Sequence, residues 1–291
     1  MSRTASHPDR ARQRTIIGTP LTALVRRGWP RLIVVIVIAL VAVVAGSLAL
    51  WAKVRLHVQS LPEYMARASD IEITPTPPWI QADVKAEVIR DAGLPPQLSI
   101  LDERLASRLT QAFSLHPWVA SVAAVKTSYP VHIAVSLRYR RPVAMVEVSG
   151  GLLPIDAEGV LLPTEDFTPE AARDYPRIAG VTGSPLGPIG TRWGDPKAEA
   201  AAKLAELLAG PWKSLRLHRL LVGEETTADS GRHLVLSIVT LAGTRLLWGS
   251  PAGSEAASEL KAAEKMKRLE QFAAGEGGLD ALPPQKRDLR R

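Results

Sequence analysis

The longest run of apolar residues covers residues 32–52, which read LIVVIVIALVAVVAGSLALWA and include no charged side chain. A helix of these 21 residues is about 32 Å long, which matches a hydrocarbon core of about 30 Å. Thirteen of them are Leu, Ile or Val, and each of these favours the bilayer by about 0.3–0.6 kcal/mol. The run therefore predicts a transmembrane helix.

Two other interpretations of the run are open at this stage. A buried core helix is one, although such a helix of this length normally carries polar residues on one face. A cleaved signal peptide is the other, although its apolar region is usually only about 7–15 residues long. The small residues Ala45, Gly46 and Ser47 would suit a cleavage site.

The residues before the run predict its orientation. Residues 1–31 contain seven Arg and a single acidic residue, Asp9. Positive charge is retained on the cytoplasmic side of a membrane, so residues 1–31 are expected to be a cytoplasmic basic tail, disordered in its first part. A nucleic-acid-binding arm is the alternative. Residues 53–291 are then expected outside the cytoplasm.

The next segments predict a linker and a small mixed domain. Residues 53–79 are the linker, in which residues 71–78 form a short edge strand or a stiff proline-rich stretch. Residues 80–142 predict the order β-α-α-β-β, with Asp102 capping the second helix. Its predicted core consists of apolar residues at helical or alternating spacing: Val84, Val88, Ile89, Leu105, Leu109, Ala112, Phe113, Val119, Ala123, Val125, Val131, Ile133, Val135, Leu137 and Tyr139.

Residues 143–274 predict a mixed, mostly antiparallel β domain with flanking helices, followed by a C-terminal tail over 275–291. Six short strands are expected, over 143–148, 152–155, 160–162, 215–222, 233–241 and 244–248. Residues 162–191 are proline-rich and predict loops. Helices are expected over 197–208, with Leu204, Leu207 and Leu208 inward, and over 254–273. The second helix is expected to have a solvated face formed by Lys261, Lys265, Arg268, Glu255, Glu259 and Glu264.

The charge balance argues against a nucleic-acid-binding domain. The formal charge is +7, but after residue 52 the chain holds 29 basic and 28 acidic residues. The basic excess therefore reflects membrane topology and does not indicate a basic patch. The chain has no Cys, which excludes disulfides, thiolate metal ligands and a Cys nucleophile.

No constellation of residues typical of an enzyme or a cofactor site is present. The six His have no i, i+4 spacing, and neither a phosphate loop nor a G-x-S-x-G motif occurs. Asp156 and Glu158 predict a hairpin turn rather than an acid/base pair. Trp118 and Trp248 are expected to lie in cores. We therefore predict no catalytic residue, no metal and no cofactor.

Several motifs resemble those of the FtsQ/DivIB family of bacterial cell-division proteins. They are a single basic-flanked N-terminal span, His116-Pro117-Trp118-Val119, Tyr129-Pro130, Arg140-Arg141-Pro142-Val143-Ala144, Ile155-Asp156-Ala157-Glu158-Gly159-Val160, Tyr175-Pro176-Arg177-Ile178-Ala179-Gly180 and Asp288-Leu289-Arg290. Within them the residues matching family motif positions are Pro117, Trp118, Val119, Pro130, Arg141, Pro142, Asp156 and Gly159. Arg140 departs from the pattern, because the family normally has Glu there.

The resemblance implies a POTRA domain over 80–142, a location at the division site in the bacterial cytoplasmic membrane, and a non-catalytic scaffold role in septal peptidoglycan synthesis. The partners it implies are the small coiled-coil proteins FtsB and FtsL and other membrane proteins of the divisome. The family normally continues past the Asp-Leu-Arg motif with a terminal strand, so residues 244–248 are expected to be an open sheet edge that binds a partner strand. The alternative is that the helix over 254–273 or residues 286–291 cover this edge. The candidate partner-binding residues are Thr244, Arg245, Leu246, Leu247, Trp248, Asp288, Leu289 and Arg290.

Two other function classes are open. One is a membrane-tethered envelope protein of another kind, either an enzyme or a ligand-binding module. The other is a POTRA-type transport or assembly component, although such proteins normally also carry a β-barrel of many alternating strands.

Overall fold

The fold was obtained as a computed structural model, in which residues 21–59, 61–227, 231–275, 279 and 284–291 are described. Most of the predicted basic tail, residues 1–20, and part of the predicted C-terminal tail therefore lie outside the described residues. The chain divides into two units, residues 1–61 and 62–291. The fold is of mixed α+β type, as the sequence predicts.

The first unit contains helix α1, Leu21–Gln59. Its section from Arg31 to Gln59 has a mean hydropathy of 3.1 in its most apolar window, and none of that window is buried. By length and composition this helix could cross a membrane. The absence of burial contradicts the alternative of a soluble core helix, because a core helix hides its apolar residues from solvent.

The second unit begins with a three-stranded sheet and its two helices. The three-stranded sheet consists of β2, Glu72–Ile73; β4, Val119–Ser128; and β5, His132–Tyr139. Strand β5 is central, parallel to β2 and antiparallel to β4. Strands β1, Met65–Arg67, and β3, Gln97–Ser99, form a separate antiparallel pair. Helices α2, Val84–Asp91, and α3, Leu105–Ser114, carry buried apolar faces. The linker segment thus supplies the edge strand β2, and the core extends beyond the predicted boundaries to Ala66, Ile71 and Leu162.

Most of the predicted core of this part is confirmed, with one exception. Leu105, Leu109, Ala112 and Phe113 of α3 are buried. Ala123 of β4, however, is exposed. Irregularities in the β4–β5 register at Val119/Ser121 and Val122/Ala124 shift the side-chain alternation along β4. A bulge of this kind moves a residue to the other face, and the prediction for Ala123 assumed strict alternation.

The rest of the second unit is built on a seven-stranded sheet with the order β12-β11-β10-β9-β8-β6-β7. Its strands are β6, Pro142–Val148; β7, Gly151–Asp156; β8, Arg177–Ala179; β9, Leu217–Thr227; β10, Gly231–Thr240; β11, Arg245–Gly249; and β12, Lys286–Asp288. The helices between them are α4, Pro169–Arg173; α5, Pro196–Leu208; and α6, Ala262–Ala274. The core includes Trp193, Trp212 and Trp248.

Three strand pairs in this sheet are antiparallel and three are parallel, among the residues described. The domain is therefore mixed, as predicted, and its antiparallel pairs include the longest, β9–β10, but half of the described pairs are short parallel ones that match two or three residues each. The reason lies in the connections, because a helix between two neighbouring strands returns the chain in the same direction. Helix α5 connects β8 to β9 in this way, and α6 connects β11 to β12.

Three further differences concern helices and loops. The last helix begins at Ala262 instead of residue 254. Leu207 of α5 is partly exposed, and alanines such as Ala201 and Ala205 fill the buried face instead. The proline-rich segment 162–191 contains α4 and β8.

Candidate partner-binding surface

Strand β11, which contains four of the five residues predicted to form an open edge, is covered on both sides. It pairs with β10 and with β12, in a register of Arg245 with Lys286, Leu246 with Arg287, and Leu247 with Asp288. The Arg245 amide donates to the Gln285 carbonyl at 2.8 Å, and the Leu289 amide donates to the Leu247 carbonyl at 3.0 Å. The prediction that residues 244–248 form the open edge is therefore wrong.

Burial agrees with this correction. Thr244, Leu246 and Trp248 are buried, so a partner could not reach them. Trp248 lies in the core, as predicted. Arg245 is exposed and Leu247 is half-buried, which confirms the predicted alternation of the two faces.

The edge of the sheet on this side is β12. Its three residues are exposed, and no strand among the described residues pairs with its outer side. Gln285 and Leu289 direct main-chain groups towards β11, and successive residues of a strand point these groups to alternate sides. Lys286 and Asp288 therefore present their N–H and C=O groups outwards, as a template for another strand.

The residues after β12 hold it in place. Leu289 is fully buried, and the Leu260 amide donates to the Arg290 carbonyl at 2.8 Å. The Arg290 guanidinium donates to both carboxylate oxygens of Asp288, with Nη2 2.9 Å from Oδ2. Burial alone would raise the pKa of Asp288, but the hydrogen bonds and charge of Arg290 outweigh it, so that pKa lies below its ordinary value. Asp288 therefore stays ionised and paired.

Helix α6 is fixed to the back of this edge by a buried ion pair. Lys265 Nζ lies 2.7 Å from Glu259 Oε1, and the exposed fractions of the two side chains are 0% and 7%. Glu259 also accepts the Ser250 amide at 2.8 Å, and Lys265 Nζ lies 5.2 Å from the centroid of the Trp248 ring. The expectation of a solvated face is therefore wrong for Lys265 and Glu259, because the face packs on β11. The Glu255 side chain is also buried there.

The backbone next to this pair requires glycine. Gly249 has a φ of 90°, and a Cβ at this position would collide with the Glu259 carboxylate and the Arg290 side chain. Glycine thus lets β11 approach both the ion pair and the segment after β12.

The motif residues of the family resemblance lie elsewhere, most of them near the junction of the two sheets and Pro130 at the opposite end of the β4–β5 hairpin. Trp118 is buried and donates from Nε1 to Asp166 Oδ2 at 2.7 Å. Pro117 and Val119 flank it at the start of β4, and Pro130 lies in the β4–β5 turn. Arg141 lines a cleft together with Pro142, the first residue of β6. These contacts give the motif residues positions in packing and turns.

The turn at Asp156 explains the unusual Arg140. Asp156 Oδ1 accepts the amides of Glu158 and Val160, as predicted for a hairpin turn, and Gly159 completes the turn with a φ of 74°. Arg140 Nη1 lies 2.7 Å from Asp156 Oδ2 and 3.3 Å from Glu158 Oε2. A Glu at position 140 would place a third carboxylate beside these two, so Arg140 balances their charge here.

Sequence reasoning missed Asp166, which links the two sheets. Its carboxylate accepts the amides of Gln81 and Ala82 at 2.6 and 2.8 Å in addition to the Trp118 indole. It also borders a cleft of about 580 Å³ that is lined by the aromatic residues Trp79, Phe167, Tyr175 and Trp212. Neither feature has a local sequence signal, because the partners lie up to 85 residues apart. No group of three or more potential metal ligands occurs among the residues described.

Comparison with known proteins gives limited support for the resemblance. No protein-family model matches the chain. A segment of 108 residues, which is 36% of this chain, is 32% identical to the cell division protein FtsQ of Anaeromyxobacter sp. (strain K). The chain spans about a third of the length of that curated relative. This similarity suggests an FtsQ-like relationship at most, and with it a link to cell division.

Proposed function

We propose that this protein is a non-catalytic membrane scaffold of the bacterial cell-division machinery, and that it binds its partners outside the cytoplasm by strand addition to β12. The observation that carries the proposal is the outer edge of β12, where the main-chain groups of Lys286 and Asp288 pair with no other strand in the described part of the chain. A partner strand that pairs there would extend the seven-stranded sheet and gain main-chain hydrogen bonds along it. This edge replaces β11 as the candidate binding site.

The proposed topology is a single span by α1 with the N-terminus in the cytoplasm. The seven Arg and one Asp of residues 1–31 support this orientation, and so does the exposed apolar helix. The FtsQ-like segment supports a location at the division site. The partners we propose are small coiled-coil division proteins of the FtsB and FtsL type and other divisome proteins. Membrane-spanning partners of this kind would present their segments to β12 on the same side of the membrane.

A proline substitution in β12 tests the proposal. Lys286→Pro removes an outward N–H group without adding bulk to the core, because proline has no amide hydrogen. Its matched control is Lys286→Ala, which removes the same exposed side chain and keeps the N–H group. We expect the full-length proline variant to lose its partners in a pull-down from envelope extracts, and the alanine variant to retain them.

The fold of both variants is checked by circular dichroism. Loss of partners in both variants would indicate that the Lys286 side chain is recognised instead of the edge. Full retention in the folded proline variant would refute binding at β12.

A further inference from the structure

A cluster of aromatic and aliphatic side chains, two of them exposed and two half-buried, lies in the second unit, and we call it the tyrosine patch: the exposed Leu101 and Tyr129 and the half-buried Tyr64 and Ile100. Tyr129 has an exposed fraction of 71% and Leu101 of 38%. The ring centroids of Tyr64 and Tyr129 are 6.3 Å apart. These side chains line one shallow depression together with Thr127 and Ser128.

Three separate segments form the tyrosine patch. The Ile100 amide donates to the Tyr64 carbonyl at 3.0 Å, which extends the β1–β3 pairing and places the two residues side by side. Tyr129 lies in the turn between β4 and β5. The exposed ring of Tyr129 and the half-buried ring of Tyr64 thus come from distant parts of the chain, and covering such rings with an apolar or interfacial medium is favourable.

The covalent chain limits how far Tyr64 can lie from the end of the apolar helix. Five residue steps separate Gln59, the last residue of α1, from Tyr64, and because Pro62–Tyr64 form a 3-10 turn, these steps span at most about 15 Å. The seven residues of α1 after Ala52 rise about 10 Å beyond the uncharged run. Because the reach of the chain exceeds this rise, the tyrosine patch can return to the level of the lipid headgroups.

We propose that the tyrosine patch docks into the headgroup layer of the membrane that α1 spans. This inference rests on the proposed span, and it adds a second membrane contact made by the folded unit itself. Tyrosine is enriched at this level of a bilayer because its ring is apolar and its hydroxyl group is polar. The hydroxyl groups of Tyr64 and Tyr129 would face phosphate and water, and the Leu101 side chain would face the upper acyl chains.

The charges beside the patch indicate which lipids it accepts. Glu63, Asp102 and Glu103 are its acidic neighbours in sequence, and Arg104 and Lys126 are its basic ones. Charges of both signs cancel the attraction to anionic lipid that a basic cluster would produce. The patch is therefore expected to bind zwitterionic phosphatidylcholine as well as anionic phosphatidylglycerol.

The absence of Cys makes a direct test feasible, because one introduced Cys can be labelled selectively. Ser128→Cys attaches a fluorophore in the depression without removing a patch residue. The full chain is reconstituted into phosphatidylcholine vesicles that carry a spin label on the lipid headgroup. Leu186→Cys, at a site with an exposed fraction of 83% in the loop before α5, is the matched control. We expect quenching at position 128 to exceed that at position 186 at least about threefold.

A third label separates this inference from the proposed span. Val41→Cys lies within the apolar run and reports on insertion, through quenching by spin labels on the acyl chains. Quenching at position 41 with equal quenching at positions 128 and 186 would overturn the patch inference alone. No quenching at position 41 would overturn the span and the patch inference together.

A patch variant tests the chemistry. Leu101→Ser with Tyr129→Ser, in the Ser128→Cys chain, is expected to reduce quenching to the level at position 186. Addition of phosphatidylglycerol is expected to leave the quenching at position 128 unchanged. Quenching that survives the double substitution, or that requires anionic lipid, would refute docking through the aromatic residues.

Discussion

Lys265 and Glu259 form an ion pair whose side chains are almost completely removed from solvent, with Nζ and Oε1 2.7 Å apart. The pair joins α6 to the segment that follows β11. A buried charge without its partner is costly, whereas an exposed pair contributes little. This pair therefore determines how firmly α6 holds the edge of the sheet.

We expect Lys265→Met to lower the free energy of unfolding by about 3–5 kcal/mol, because it leaves the Glu259 carboxylate buried without its counter-charge. The measurement is urea unfolding of the full chain in detergent. Lys267→Met is the matched control, since Lys267 is exposed on the same helix. A change below about 0.5 kcal/mol is expected for the control. Equal effects of the two substitutions would contradict the buried pair.

The core of the three-stranded sheet gives a second prediction. Phe113 of α3 is fully buried, so Phe113→Ala should cost about 3–5 kcal/mol through lost transfer free energy and a cavity. Leu115→Ala, two residues further on, is the control because Leu115 is 77% exposed. Thermal unfolding is expected to shift strongly for the first variant and little for the second. Coincident melting curves of Phe113→Ala and the parent would count against this packing.

His218 makes stability depend on pH. Burial lowers its pKa, and the charges of Arg177 and Arg219 lower it further against an opposing effect of Glu147. In the unfolded chain His218 protonates near its ordinary pKa of about 6.5, so the unfolded state takes up a proton first as pH falls. The free energy of unfolding should therefore decrease as pH falls from about 7 towards 5.

The variant His218→Gln tests this assignment. It is expected to show a flatter pH dependence than the parent in urea unfolding over that range. Carboxylates with lowered pKa values, such as Glu259 and Asp288, lose their contribution only when pH falls below their ordinary values of about 4. An unchanged slope above about pH 5 in the variant would assign the effect to another group.

The proposed orientation predicts the outcome of a fusion experiment. A reporter that is active only outside the cytoplasm, fused after Arg291, should be active. Protease added to spheroplasts should digest residues 53–291 and leave residues 1–31 intact. Protection of the C-terminal part would show the opposite orientation, and a mature protein that begins near Ser47 would show a cleaved signal peptide.

The sequence predicts best where the side-chain pattern is local. The alternation of Ile133, Val135 and Leu137 in β5 and the spacing of Leu105 and Leu109 in α3 are confirmed, because each pattern lies within one element. Ala123 was predicted wrongly because the bulges of β4 depend on its pairing with β5. Lys265 has the local pattern of an exposed lysine, and only its packing on Trp248 buries it.

The candidate site was missed for a related reason. The sequence indicates β11 and the motif at Asp288, but their pairing depends on a helix that reverses the chain between them. The sequence left open that residues 286–291 cover β11, and a helix between two strands of one sheet, here α6, favours their parallel pairing. Asp166 could not have been found in this way, because nothing in its local sequence indicates Gln81 or Trp118 as partners.

The order of the elements also sets the time at which the binding edge appears. Strand β12 follows every other described strand in sequence, so it can pair with β11 only after residues 286–288 have been synthesised. Until those residues have been synthesised, β11 therefore remains a temporary edge with main-chain groups that lack their β12 partners. Folding converts that edge into an interior strand and exposes β12 in its place, so a partner specific for β12 would recognise only molecules that have completed folding.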